Sequence, residues 1–409
     1  MKIERFEDLE RWKDDQADKV RKTLKKDDLK NPRNSMNPTN AINPTNPINS
    51  INFFLSALCF LILSASIGCA TGSSQKMGTA SDLSFDKKNV AGQTQKGFKE
   101  RIALFPFENF SDDRTALTVV MPMMKSRLEA NGVEVLDDDS LYTFLCKERV
   151  RSTGYISKDL AGKMKEELNV TSILVGSVNS FFPGGNPRIG LSARLIDSSD
   201  GTILWANHAA ATGEDFTTIL GLGTVKSINK LAFKVVNALL DSLVLNPHQK
   251  ETELTYRIAV MPFQNKSKIT DAGMMATYMF LVELYKSQRF EPIEYGNVRR
   301  YSVDLRIRSK GELDLQNTDA LSKDLGVDGI LVGTVESYSE GEGNSPPEAA
   351  ISARLIDAHK NRILWYDGHQ YNGDEGVFMF DWGRIRSPEN VAYEVISRLV
   401  KEMGKTKWY

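Results

Sequence analysis

From residue 100 onward the apolar and polar positions spell out one series of elements twice. Each series opens on an apolar run ended by proline, RIALFPF from Arg101 and RIAVMPF from Arg257, the pattern of a buried strand leaving its sheet. Ala116 to Ala130 and Ala272 to Ser287 then carry helical periodicity, and Pro122 predicts a kink or a delayed start in the first. Short strands are expected at Val133 to Leu136 and Phe290 to Ile293, followed by helical segments ending in Leu160 to Leu168 and Ala320 to Leu325. SILVGSVNSFF and GILVGTVESYS read as central strands. The alternating RIGLSARLID and AAISARLID then turn back into TILWANH and RILWYDG, through Asp200-Gly201 in one series and Lys360-Asn361 in the other. An amphipathic helix closes each series, Ile228 to Val244 and Glu389 to Met403, with Ser227 and Ser387 as N-caps and Pro388-Glu389 suited to a first turn.

The matching blocks keep their order. Arg101 to Asn109 pairs with Arg257 to Asn265, Ile173 to Gly176 with Ile330 to Gly333, Ser192 to Asp197 with Ser352 to Asp357, and Ile203 to Trp205 with Ile363 to Trp365. Each partner lies about 160 residues downstream, which is internal duplication. The expected fold class is α/β, with a mixed α+β sheet: two tandem copies of a small β-α-β-α-β-β-β-α domain, over residues 100–247 and 255–409.

The first hundred residues read differently. Residues 1–50 are a charged and Asn/Pro-rich leader that cannot bury a core, and the apolar segment 51–68 is marginal for a bilayer span but long enough for a signal-peptide core. A leader this long is unusual for a signal peptide and raises a start downstream of Met1, although a start at Met36 leaves no Lys or Arg ahead of the apolar run. The segment Ser66-Ile67-Gly68-Cys69-Ala70 resembles the bacterial lipoprotein processing site, with Ser66 where leucine is usual. That resemblance implies cleavage between Gly68 and Cys69, a covalent lipid on Cys69 and, from Ala70, sorting to the outer membrane with the protein facing the periplasm. Residues 69–99 then form a polar tether. The alternative is a single uncleaved inner-membrane helix.

The blocks RIAxxPFxN, ILVGxV and SARLIDxxxxxILW resemble the periplasmic domain of the curli-secretion (CsgG-like) lipoprotein superfamily. The amino-terminal domain of TolB and the LpoB-type lipoproteins are related in fold. The resemblance implies work in envelope assembly or secretion through protein contacts with envelope proteins, self-association included, and it carries over no catalytic residues. The curli-type pore inserts membrane hairpins; the connections here, Phe182 to Pro187 and Gly341 to Pro347, are turn-like, so no pore formed by this chain alone is expected.

Charge and composition narrow the chemistry. With 52 Lys+Arg against 53 Asp+Glu the net charge is -1, which gives no field for nucleic acid. Of three cysteines, Cys59 and Cys69 fall in or beside the apolar segment, which leaves Cys146 without a disulfide partner and reads it as a small buried apolar residue. His208, His248, His359 and His369 show no metal-ligand spacing and read as solvated or turn residues, so no metal and no cofactor is expected beyond the lipid on Cys69. Leu220-Gly221-Leu222-Gly223-Thr224 lacks the lysine of a phosphate loop, and Asp137 to Asp139 reads as a helix cap in preference to a cation site. Arg194 and Arg354, with Asp197 and Asp357, recur in both copies; they read as sheet-face and turn residues, with a paired site as the alternative. Trp205 and Trp365 are assigned to packing on the closing helix. Phe378, Phe380 and Trp382 form the most aromatic loop, which is either core or a partner-binding surface. The overall expectation is a non-catalytic lipoprotein acting as an assembly, secretion or scaffold component. The alternative function is a periplasmic ligand-binding protein or enzyme that uses the cleft between repeats.

Overall fold

In the computed structural model, residues 100–218, 222–243, 255–304, 315–341, 345–378 and 381–408 are described, and all belong to one compact unit, Gly92–Tyr409. The first repeat runs β1 (Arg101–Leu104), β2 (Glu108–Asn109), α1 (Ala116–Ala130), β3 (Glu134–Val135), α2 (Asp138–Lys147), α3 (Lys158–Leu168), β4 (Ser172–Phe182), β5 (Arg188–Asp197), β6 (Ile203–Thr212) and α4 (Ile228–Leu240). The second runs β7 (Tyr256–Val260), β8 (Gln264–Asn265), α5 (Ala272–Lys286), β9 (Phe290–Pro292), α6 (Tyr295–Asp304), α7 (Leu315–Leu325), β10 (Gly329–Ser339), β11 (Glu348–Asp357), β12 (Arg362–Asn372) and α8 (Pro388–Met403).

Each repeat builds a mixed sheet, β3-β1-β4-β5-β6 with β2 beside β4, and β9-β7-β10-β11-β12 with β8 beside β10. Three neighbours are parallel and the long hairpins antiparallel, so this is a mixed α/β fold made of two similar sheets. Even the irregularities repeat: one bulge falls between Val178 and Ser180 and again between Val335 and Ser337, another between Leu195 and Ile196 and again between Leu355 and Ile356. Pro122 lies inside α1 without ending it. Asp137 caps α2 by accepting from the Ser140 amide, and Ser387 caps α8 by accepting from the Asn390 amide. Ser227 makes no such side-chain bond, and α4 stops at Leu240, short of Val244.

The two sheets are covered unequally. Helices α1 and α4 lie over one face of the first sheet, α2 and α3 over part of the other. The rest of that second face, over β5 and β6, is covered by α5 and α8 of the second repeat. Helix α5 is therefore sandwiched between two sheets and is buried nearly all round, from Ala272 to Leu284, as a helix apolar on every side must be. In consequence β4 and β5 are buried on both faces, whereas β11 alternates between buried and half-buried residues along its length.

Cys146 is exposed, contrary to the buried reading, because it faces away from the Leu141, Phe144 and Leu145 side of α2. Gly68, Cys69 and the whole export segment lie outside the described residues. Among the described residues no helix is long and apolar enough to cross a membrane.

Candidate interaction site

Both repeats lead from the last strand to the closing helix through the same loop. In the first, the Thr212 amide donates to Asp215 Oδ2 (2.7 Å); in the second, the Asn372 amide donates to Glu375 Oε1 (3.2 Å). The next residue, Gly213 or Gly373, donates to the carbonyl of Pro187 or Pro347 and accepts from the amide of Val225 or Ile385. That clamp needs glycine: a Cβ at either position would sit 2.1 Å from the carbonyl oxygen of Val225 or Ile385. The tip is then pinned by Thr218 N to Leu222 O (2.8 Å) and by Phe378 N to Trp382 O (3.1 Å). Gly223 (φ 92°) and Gly383 (φ 89°) follow in the left-handed region that only glycine adopts freely.

These loops put apolar side chains in water. Leu222 is 66% exposed, Phe378 70% and Trp382 51%. The Phe378 and Trp382 rings meet edge to face at 5.9 Å. Large exposed apolar groups clustered on a fixed backbone are the usual mark of an interaction surface. Phe378 and Trp382 therefore lie on the surface and not in the core, and Phe380 is outside the described residues. The frame is present in both copies, so the copies differ only at its tip, which is aromatic in the second and aliphatic in the first. Its signal in the sequence is the recurrence of Gly213 with Gly373 and of Gly223 with Gly383 at constant spacing.

The two loops are neighbours. Arg386 reaches Glu214 of the first loop and Asp381 of the second, each at 3.6 Å. Arg384 ties the second loop to itself through Asp374 (2.8 Å) and Asp381 (3.3 Å).

Between the repeats, near the Pro187 end of β5, a cleft of about 690 Å³ is lined from both sides, by Phe110, Phe182 and Arg188 of the first repeat and Lys268, Tyr338 and Glu389 of the second. Arg188 pairs with Glu340 (2.7 Å). Burial works against the Arg188 charge, and Glu389 and Glu340 more than restore it, so its pKa is raised. The buried Ser180 Oγ and Arg188 Nε have no hydrogen-bond partner.

Another contact between the repeats is polar at its centre. Arg194 is fully buried, donates to both Glu294 oxygens (2.8 and 3.1 Å) and to the Gly154 carbonyl (2.8 Å), and lies over the Tyr278 ring at 4.5 Å. Tyr278 donates to Glu108 (2.8 Å), and Tyr285 to the Leu204 carbonyl. His208 stacks on Tyr393 (4.7 Å), which donates to Glu283 at 2.5 Å. His208 is thus a buried interface residue and not a solvated one. Arg194 and Asp197 do not form a paired site: Arg194 binds Glu294, whereas Asp197 accepts from the turn amide of Ser199 (2.6 Å) and Asp357 from those of His359 and Lys360. Trp205 donates to Ser242 (3.1 Å), beyond the end of α4. Among the described residues no group of three or more His, Cys, Asp or Glu could hold a metal ion.

No family model matches the chain, and no curated protein matches it. Solved structures are similar over about one third of it, among them the following three. The PelC dodecamer from Paraburkholderia phytofirmans is 16% identical over 36% of this chain and 89% of that one, with a TM-score of 0.26. Lipoprotein GNA1162 from Neisseria meningitidis is 18% identical over 35% of this chain and 99% of that one, with a TM-score of 0.26. The LpoB C-terminal domain from Salmonella enterica is 12% identical over 30% of this chain and 86% of that one, with a TM-score of 0.22.

Proposed function

We propose that this chain is a non-catalytic envelope lipoprotein, anchored through Cys69 at the periplasmic face of the outer membrane, whose twin loops hold a protein partner. The assembly or secretion role implied by the CsgG-like resemblance is part of the same reading. The observation that carries it is the pair of clamped loops, joined through Arg386, which expose Leu222, Phe378 and Trp382 together. Apolar anchors on a preorganised frame bind with little ordering cost. Two measurements test it in cells. Labelled palmitate is expected in the wild type and lost in Cys69→Ser; no incorporation in the wild type removes the anchor. A photo-crosslinker at Phe378 or Trp382 is expected to give a discrete adduct that the same probe at Tyr142, exposed elsewhere, does not; identical patterns at all three positions remove the loop assignment.

A second reading is favoured by one specific observation, the unpartnered Ser180 Oγ and Arg188 Nε beside the inter-repeat cleft. Both atoms are fully buried, so a polar small molecule seated in the cleft satisfies them only if the Arg188 side chain shifts to admit it. Native mass spectrometry of the purified chain, with Arg188→Met as the comparison, separates this reading from the first.

A further inference from the structure

A second concavity lies apart from the twin loops and the cleft. It measures about 610 Å³ and lies between residues 148–163 of the first repeat and α6 of the second. The two repeats approach closely here because residue 296 is glycine: a Cβ would stand 2.2 Å from the backbone of Ile156. Five cationic side chains line the groove, Arg149, Arg151, Lys163, Arg299 and Arg300, against the two carboxylates Glu148 and Asp159. Both carboxylates are engaged, Glu148 by Lys163 at 2.5 Å and Asp159 by Arg300 at 3.0 Å. Among the described residues no ion pair reaches Arg149, Arg151 or Arg299. Arg299 is held on the wall over the Tyr155 ring, 5.4 Å from its centroid. The first turn of α3, from Ser157, also borders the groove and adds the positive end of a helix dipole. On a chain whose net charge is -1, three guanidinium groups around one groove, without an ion pair among the described residues, concentrate positive charge there.

We propose that this groove binds a phosphate-bearing ligand, with Arg149 and Arg151 taking its oxygens from one side and Arg299 from the other. A guanidinium offers paired N–H donors that match two oxygens of one phosphate. Donors arriving from two walls suit a tetrahedral dianion better than a single planar carboxylate. Val303 is exposed on the rim, so the same phosphate chemistry fits either a phospholipid headgroup or a free phosphate compound.

Calorimetric titration of the full chain in neutral detergent separates these sources. The probes are inorganic pyrophosphate and mixed micelles doped with phosphatidylglycerol. Binding of pyrophosphate alone assigns a free phosphate ligand, and binding of doped micelles assigns a headgroup. In either case Arg149→Glu with Arg151→Glu, and separately Arg299→Glu, are expected to weaken binding by about tenfold or more. Lys230→Glu with Lys234→Glu, on exposed positions of α4, is expected to leave it unchanged. Protection of Arg149, Arg151 and Arg299 from phenylglyoxal by the bound probe, read on the wild type by mass spectrometry, gives the same answer without relying on a folded variant. No binding of either probe, equal loss in the α4 variant, or no protection at the three arginines overturns the assignment.

Discussion

Arg194 and His208 show how burial decides the chemistry of a single residue. Both sit on strands whose alternation puts them on a polar face, and both are covered by helices from the other repeat. The Arg194–Glu294 pair is fully buried, so its attraction is set against the desolvation of two charges. Removing one partner leaves the other charge stranded. Glu294→Leu or Arg194→Met is therefore expected to lower stability by roughly 3–5 kcal/mol in chemical denaturation, and the double variant to recover most of the loss. His208 titrates in the opposite sense to a salt-bridged histidine. Burial first, and the nearby Lys286 charge second, depress its pKa to about 3. The unfolded chain then binds the proton near pH 6.5 while the folded chain refuses it, so stability is complete above that pH and falls between it and about pH 3. The loss attributable to this group is roughly 3 kcal/mol by pH 4. A melting curve of His208→Asn measured against the wild type should therefore show a smaller acid-side decline; parallel curves across that window would rule the linkage out.

At the scale of the element, regular structure was legible wherever the apolar period was. The strands, the hairpins and the closing helices fall within a few residues of their expected places. What the pattern could not show was coverage by distant chain. Helix α5 reads as a helix in sequence, but its apolar surface all round marks a second contact that periodicity cannot aim. Comparison of the repeats held the clue: α5 carries Tyr278 and Tyr285 where α1 carries Pro122 and Glu129. The twin loops were half visible for a similar reason, since their aromatic tip attracts notice and their glycine frame does not. Glycine roles differ sharply among these elements. Gly383→Ala meets both a φ of 89° and a Cβ position 2.1 Å from the Gly376 carbonyl oxygen, and is expected to cost about 1–3 kcal/mol. Gly162→Ala lies in the middle of α3 with nothing within 4 Å of the added Cβ, and should gain about 0.5–1 kcal/mol. Thermal melts of the two variants, shifted in opposite directions, check both.

Across the whole molecule the duplication is sequential but the stacking is one-sided. The second repeat presents two helices to the first, while the first presents a sheet face. That face is polar at Ser192, Arg194 and His208, and the helices that cover it bring Tyr278, Tyr285 and Tyr393. The surfaces that would continue the series differ in kind, with Pro122 and Glu129 on α1 and an exposed Tyr366 on β12 where β6 has Ala206. The contact is thus specified between these two repeats, and the consequences of separating them are unequal. Expressed alone, residues 100–247 uncover mostly polar groups and should remain soluble. Residues 255–409 uncover the aromatic side of α5 and α8 and should aggregate. Co-expression is expected to restore solubility of the second fragment by reforming the interface, and Arg194→Glu in the first should abolish the rescue by placing a second carboxylate against Glu294. The intact chain should then melt in one transition, because most of the burial of α5 is shared by both sheets. Two independent transitions that reproduce the melting of the separate fragments would mean that the repeats are merely adjacent.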